Sequence, residues 1–149
     1  MNIGIANDHR GYELKQKVTN YLTKKGYNVI NYGTDSKENA DYPDYAFKLC
    51  EGITQNEIIY GIAICGTGIG ISIACNKVKG IRCAKVCNDK EAKLCRLHND
   101  ANVIALSAEL SVLEVKDILD SFLTTNFSEE ERHIKRIEKI TNYEENNER

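Results

Sequence analysis

Short apolar runs alternate with amphipathic stretches along nearly the whole chain, and this alternation restricts the possible folds more than any other property of the sequence. The runs NIGIA (2–6), YNVINY (27–32), IYGIAI (59–64), IRCAKV (81–86) and NVIAL (102–106) read as strands, several of them apolar enough to be covered on both faces. Between them apolar residues recur at helical spacing. Leu14, Val18, Tyr21 and Leu22 line one stretch; Ala46, Leu49, Cys50 and Ile53 line the next, which has the only proline, Pro43, near its start. Val115, Ile118, Leu119 and Phe122 line another, opened by a Ser111–Glu114 capping box. Strands and helices in strict alternation build a parallel sheet with helices on both faces and right-handed crossovers. The expected fold is α/β: three layers, α/β/α, around a five-stranded parallel Rossmann-like sheet, plus a C-terminal helix.

That last helix is expected over about 128–145, opened by a Ser128–Glu131 capping box. Its narrow stripe of Ile134, Ile137 and Ile140 needs a surface to cover, its own domain or, as the favoured expectation, a partner subunit. With 149 residues and 42% hydrophobic content, the chain suits a single domain spanning 1–149. A net charge of −2 offers no positive field to a phosphate backbone, so nucleic acid is not an expected partner. No stretch approaches the roughly 18 apolar residues of a membrane span, and MNIGIANDHRG lacks the pattern of a signal peptide; no membrane partner and a cytoplasmic location are expected. The cysteines Cys50, Cys65, Cys75, Cys83, Cys87 and Cys95 form no C-x-x-C pair, and most are expected to be small buried hydrophobes rather than disulfides or metal ligands.

In open parallel sheets ligands bind beyond the carboxyl ends of the strands, near a switch in strand order. NDHRG (7–11) follows the first strand and CGTGIG (65–70) the third, and both open into one crevice if those strands are neighbours. Gly66, Gly68 and Gly70 leave backbone N–H groups free to face an anion, with a helix start behind them. The spacing is neither the dinucleotide fingerprint nor the P-loop, so a tight turn that binds nothing is an equal reading of the loop alone. Thiols at helix N-termini ionise more readily than free ones, which makes Cys65 a candidate base or nucleophile; as one cysteine among six it also reads as packing. Thr67 either donates to the same ligand or bonds the loop. Asp8 reads as an acid/base group or as a helix N-cap, and His9 as a phosphate donor or an ordinary first-turn residue. His98 stands near a helix end, a common structural place for histidine. Arg132 and Arg136 share a helical face that suits either a phosphate clamp or ion pairs with Glu129 or Glu131.

Taken together, NDHRG, NYGTDSKENADYPDYA, CGTGIGISIACNKVKGIR, RLHNDANVIAL and ERHIKRIEKI, in this order and spacing, closely resemble the ribose-5-phosphate isomerase B family, over residues 1 to about 140. The family includes relatives acting on six-carbon sugar phosphates. The resemblance implies an aldose-ketose isomerase without metal or cofactor that interconverts ribose 5-phosphate and ribulose 5-phosphate through a cis-enediolate. It implies Cys65 as the base, the amides of Gly66, Thr67, Gly68, Ile69 and Gly70 as the enediolate cradle, and Thr67 as an aid to proton movement between oxygens. His98 matches the ring-opening acid/base, with Asp8 near the ring oxygen or hydroxyls; His9, Arg132 and Arg136 match phosphate ligands, and Asn99 and Tyr42 substrate contacts. A helix over about 89–97 would carry His98 roughly 15 Å, to the sheet edge opposite Cys65, so His98 and Asn99 are expected to enter the site from a second subunit of a homodimer or dimer of dimers. The sequence departs from the family at Glu109, where many members carry a phosphate-binding arginine; Arg10 or a lysine would then supply the charge, or the preferred sugar differs. Allose or galactose 6-phosphate is the alternative substrate. A noncatalytic flavodoxin-like phosphate module and a subunit that needs an unlike partner are the other readings weighed.

Overall fold

A computed structural model describes residues 1–147. Five parallel strands form one sheet: β1 (Asn2–Asn7), β2 (Asn28–Asn31), β3 (Tyr60–Cys65), β4 (Cys83–Lys85) and β5 (Val103–Ser107), in the order β2-β1-β3-β5-β4. The strand–helix alternation thus yields the expected α/β sheet, and β1 and β3 are neighbours in register from Ile3–Tyr60 to Asn7–Ile64. Among the described residues six α-helices accompany it: α1 (Tyr12–Lys24), α2 (Tyr42–Thr54), α3 (Ile69–Cys75), α4 (Asp89–Asn99), α5 (Val112–Thr124) and α6 (Glu131–Asn146).

The two faces of the sheet differ in bulk, and the difference sorts the helices. Ile3, Ile5, Ile62, Ile64, Ile104 and Leu106 point to one side and pack with Leu14, Val18 and Leu22 of α1, Ala92 and Cys95 of α4, and Val115, Ile118, Leu119 and Phe122 of α5. Full burial of each large aliphatic side chain is worth about 1.5–3 kcal/mol. The alternate positions are small: Gly4, Ala6, Gly61, Ala63, Cys65 and Ala105. This lets α2 and α3 lie close on the opposite face, with Leu49, Cys50, Ile71, Ala74 and Cys75 buried there. A Cβ on Gly4 would stand 2.3 Å from Ile58 Cδ1 and 2.7 Å from Leu49 Cδ1. Cys65 belongs to this small-residue face, which puts its sulfur directly beneath the start of α3.

Two expectations about helix starts meet different outcomes. Ser111 caps α5 as expected, with both hydrogen bonds of the capping box formed to Glu114. The Ser128–Glu131 box does not form, and α6 starts three residues later with Glu130 as N-cap. The Ser128 amide donates to Leu97 O instead, its hydroxyl accepts from the Glu130 amide, and Glu129 takes a left-handed φ of 56°. Tertiary hydrogen bonding to the end of α4 wins over the local pattern. Four of the six cysteines are buried, as expected; Cys83 is half-buried, Cys87 is exposed, and all six are free thiols. No helix among the described residues is long and apolar enough to cross a membrane.

Candidate active site

The chain reverses direction across the sheet between β1 and β3, so their carboxyl ends flank a crevice. Cys65 closes β3 and is 4% exposed. Its Sγ accepts a hydrogen bond from the Gly68 amide at 3.2 Å. Gly68 holds a left-handed φ of 76°, and a Cβ there would lie 2.9 Å from the Leu106 carbonyl carbon, so this turn needs glycine on two counts. Thr67 Oγ1 accepts from the Ile69 amide at 3.2 Å, bracing the loop while its own proton stays available to donate. Tyr42, at the start of α2, stands over the loop's far end: a Cβ on Gly70 would be 2.6 Å from Tyr42 Cζ and 2.9 Å from its hydroxyl oxygen.

Asp8 and His9 reach the same edge from β1. The Asp8 carboxylate caps a short 3₁₀ turn, its Oδ1 accepting from the Arg10 and Gly11 amides at 2.9 and 3.2 Å, while the Asp8 amide donates to Ile64 O on β3. The capping reading therefore holds for Oδ1 and leaves Oδ2 for other work. His9 Nδ1 contacts the Ala40 backbone, 3.2 Å from its amide nitrogen and 3.3 Å from its carbonyl oxygen, and Nε2 makes no hydrogen bond among the described residues. The loop that supplies Ala40 is tied down by Lys15, which is 2% exposed and donates to Thr34 O at 2.6 Å and Asp35 Oδ1 at 2.7 Å. A carboxylate held by this ammonium titrates below its usual range, as Asp35 does.

The remaining candidates sit at the other edge of the sheet. Arg82, just before β4, donates from Nε to Asn99 O at 2.9 Å, which fixes the end of α4 beside the amino ends of the strands. β5 separates the two edges by about 13 Å at 3.3 Å per residue. His98 stacks on His133 of α6 with ring centroids 4.3 Å apart and planes 15° from parallel. Arg132 pairs with Glu130 at 2.8 Å rather than with Glu129 or Glu131. Asn99 lines a cavity of about 340 Å³ walled by Ile137 and Ile140, and the Gly80 amide donates to Glu144 Oε2 at 2.9 Å, so part of the α6 stripe covers its own chain. Ile140 and Tyr143 stay 56% and 72% exposed. Asp8, His9, Tyr42 and Cys65–Gly70 thus form one cluster, His98, Asn99 and the α6 arginines another, and one chain does not join them.

Two residues that shape these clusters were not singled out from the sequence. His133 is 4% exposed with Nε2 buried and unpartnered; burial first, then the neighbouring His98 and Arg132, hold its pKa below the usual histidine value. Arg96 is 5% exposed and ties α4 to Asp100 Oδ1, Ala101 O, Thr125 O and the Tyr60 hydroxyl. Neither carries a local signal, because their partners lie on other elements. Among the described residues no group of three or more His, Cys, Asp or Glu side chains is disposed to hold a metal ion.

Residues 3–140 match the family described as Ribose/Galactose Isomerase. The chain belongs to the ribose/galactose isomerase family. Ribose-5-phosphate isomerase B of Escherichia coli is 44% identical over 141 residues, covering 93% of each chain. The Clostridium thermocellum ribose-5-phosphate isomerase B structure superposes with a TM-score of 0.95 at 45% identity, covering 98% of this chain and 99% of that one. A Mycoplasma genitalium ribose-5-phosphate isomerase B structure, with ribulose-5-phosphate bound, gives 0.93 at 42% identity over 98% and 97%. Likeness over nearly the whole length makes this chain an isomerase of the ribose/galactose isomerase family, not a flavodoxin-like binding module.

Proposed function

We propose that the protein interconverts ribose 5-phosphate and ribulose 5-phosphate through a cis-enediolate, with Cys65 as the base. The observation that carries this reading is the Cys65 sulfur held 3.2 Å from the Gly68 amide, at the carboxyl edge shared with Asp8 and His9, in a chain of this family. A proton next to a carbonyl is weakly acidic, so the largest help a protein can give is to stabilise charge developing on oxygen. The amides of the 66–70 loop are fixed donors for that charge, and the Cys65 sulfur lies buried beside them. Cys65 takes the hydrogen from C2 of the open-chain aldose, the electrons move to the carbonyl oxygen, and the proton returns to C1. The free Thr67 hydroxyl proton relays between the two oxygens, and Asp8 Oδ2 accepts from a substrate hydroxyl.

His98 opens the furanose ring, and it does so in the neighbouring subunit's site. The separation of the two clusters by the length of β5 supports this, as does the exposed apolar rim of α6, a surface for a second copy. In such a homodimer or dimer of dimers, His9 of one chain and Arg132 and Arg136 of the other hold the phosphate, and Asn99 and Tyr42 contact the sugar. The chain acts as one domain and needs no unlike partner, since both half-sites are present in it. Glu109, in the turn after β5, favours testing allose and galactose 6-phosphates beside ribose 5-phosphate, because a carboxylate there alters how phosphate is held. Initial rates on the three sugars decide: the reading expects the highest kcat/KM for ribose 5-phosphate and loss of turnover, on the order of 10²–10⁴-fold, in Cys65→Ala. A six-carbon preference would replace the substrate, and full activity in Cys65→Ala would overturn the base.

A further inference from the structure

The Cys65 cluster is short of positive charge for a site that takes a phosphorylated sugar. Lys15 is buried and committed to Thr34 and Asp35. Lys37 is committed to Glu13 at 2.7 Å. Asp8 and Glu109 add negative charge at the same edge, Glu109 following directly on Ala108, whose amide donates to Cys65 O. Arg10 is different: it is exposed, and among the described residues its guanidinium makes no hydrogen bond or ion pair. It lies along the amide loop, with its Cγ and Nε 3.8 and 3.9 Å from where a Gly66 Cβ would be. With His9, Ala108 and the Lys37–Glu13 ion pair it lines an open crevice of about 340 Å³.

We infer that Arg10 is a substrate-binding residue, the cation through which the Cys65 half-site grips the phosphate group of its sugar substrate. The inference rests on the isomerase reading above and deepens it. An arginine fork pairs with phosphate through two parallel hydrogen bonds, and here it stands beside a histidine whose Nε2 is unpaired among the described residues and open to the same group. Its positive charge offsets Glu109, which follows Ala108 in the wall of the same crevice. The grip belongs to one chain, so an isolated subunit retains phosphate affinity before a partner supplies Arg132 and Arg136.

The test compares wild type with Arg10→Gln and Arg10→Lys, using inorganic phosphate in calorimetric titration and as a competitive inhibitor, and ribose 5-phosphate as substrate. Arg10→Gln should weaken phosphate binding and raise KM by about 10-fold or more with a much smaller change in kcat, as loss of a uniform binding contact does; Arg10→Lys should recover part of the affinity. Unchanged phosphate affinity and KM in a folded Arg10→Gln variant would overturn the inference, as would a fall in kcat alone, which would put the guanidinium on the enediolate. The titration needs no turnover. Wild type that binds phosphate through Arg10 but isomerises no sugar would sink the enzymatic reading and not the phosphate contact, whereas wild type that binds no phosphate would sink the contact.

Discussion

Gly68 shows how much one position asks of its residue. Its φ of 76° costs an L-residue roughly 1–2 kcal/mol, and its close approach to the Leu106 backbone adds strain that no rotamer relieves. Gly68→Ala should therefore lose about 2 kcal/mol or more, a fall in Tm of roughly 4–8 °C in a chain this size, and should move the amide that bonds Cys65 Sγ. Thermal unfolding and initial rates on the same variant check both effects. The shape of this turn was readable in advance, because a strand ending in Cys65 and followed by glycines at alternate positions calls for a tight strand-to-helix turn, while its use was left open between an anion cradle and a turn that binds nothing. What could not be read there was commitment: which of Lys15, Lys37 and Arg10 is spent on neighbours depends on partners up to 24 residues away, and only packing reveals that Arg10 is left over.

Helix α6 is where local pattern and tertiary structure part company. Ser128 and Glu131 have the spacing of a cap, but the Ser128 amide is taken by Leu97 O and the helix waits until Glu130. The His98–His133 stack behind that junction was equally invisible, since the pair is joined only when α6 folds against α4. It carries a pH consequence. Because burial holds the folded pKa of His133 below its ordinary 6.5, the unfolded chain takes up the proton first as pH falls. Stability is whole above about 6.5 and declines as pH drops from there toward the depressed folded value. Urea unfolding at a series of pH values should show that decline in wild type and a flatter profile in His133→Phe, which keeps a flat ring in the stack without its proton. A profile in the variant as steep as wild type would assign the acid sensitivity elsewhere. By contrast the sheet and the other helices were legible, because their apolar faces repeat at periods that tertiary contacts reinforce; the outer strand order β5-β4 was not, because either edge satisfies the same hydrophobic pattern.

At the level of the whole molecule, one chain holds two residue clusters about a strand's length apart, and the proposed reading has a second copy of the chain complete each site. Mixing Cys65→Ala chains with His98→Ala chains should restore about one quarter of wild-type activity after random reassortment, since half the dimers are hybrids and one of the two sites in each hybrid is intact. No recovery, with hybrids verified by mass, would place both residues in the same chain's site. Beneath this lies the claim that the Cys65 sulfur removes hydrogen from carbon while loop amides hold the resulting charge. The most direct measurement of it is NMR of ribose 5-phosphate incubated in heavy water with wild type and with Cys65→Ala at phosphate-saturable, folded concentrations. Wild type should place deuterium at C2 of the aldose and C1 of the ketose, and the variant should leave both positions protonated; deuterium appearing with Cys65→Ala at the wild-type rate would contradict the account.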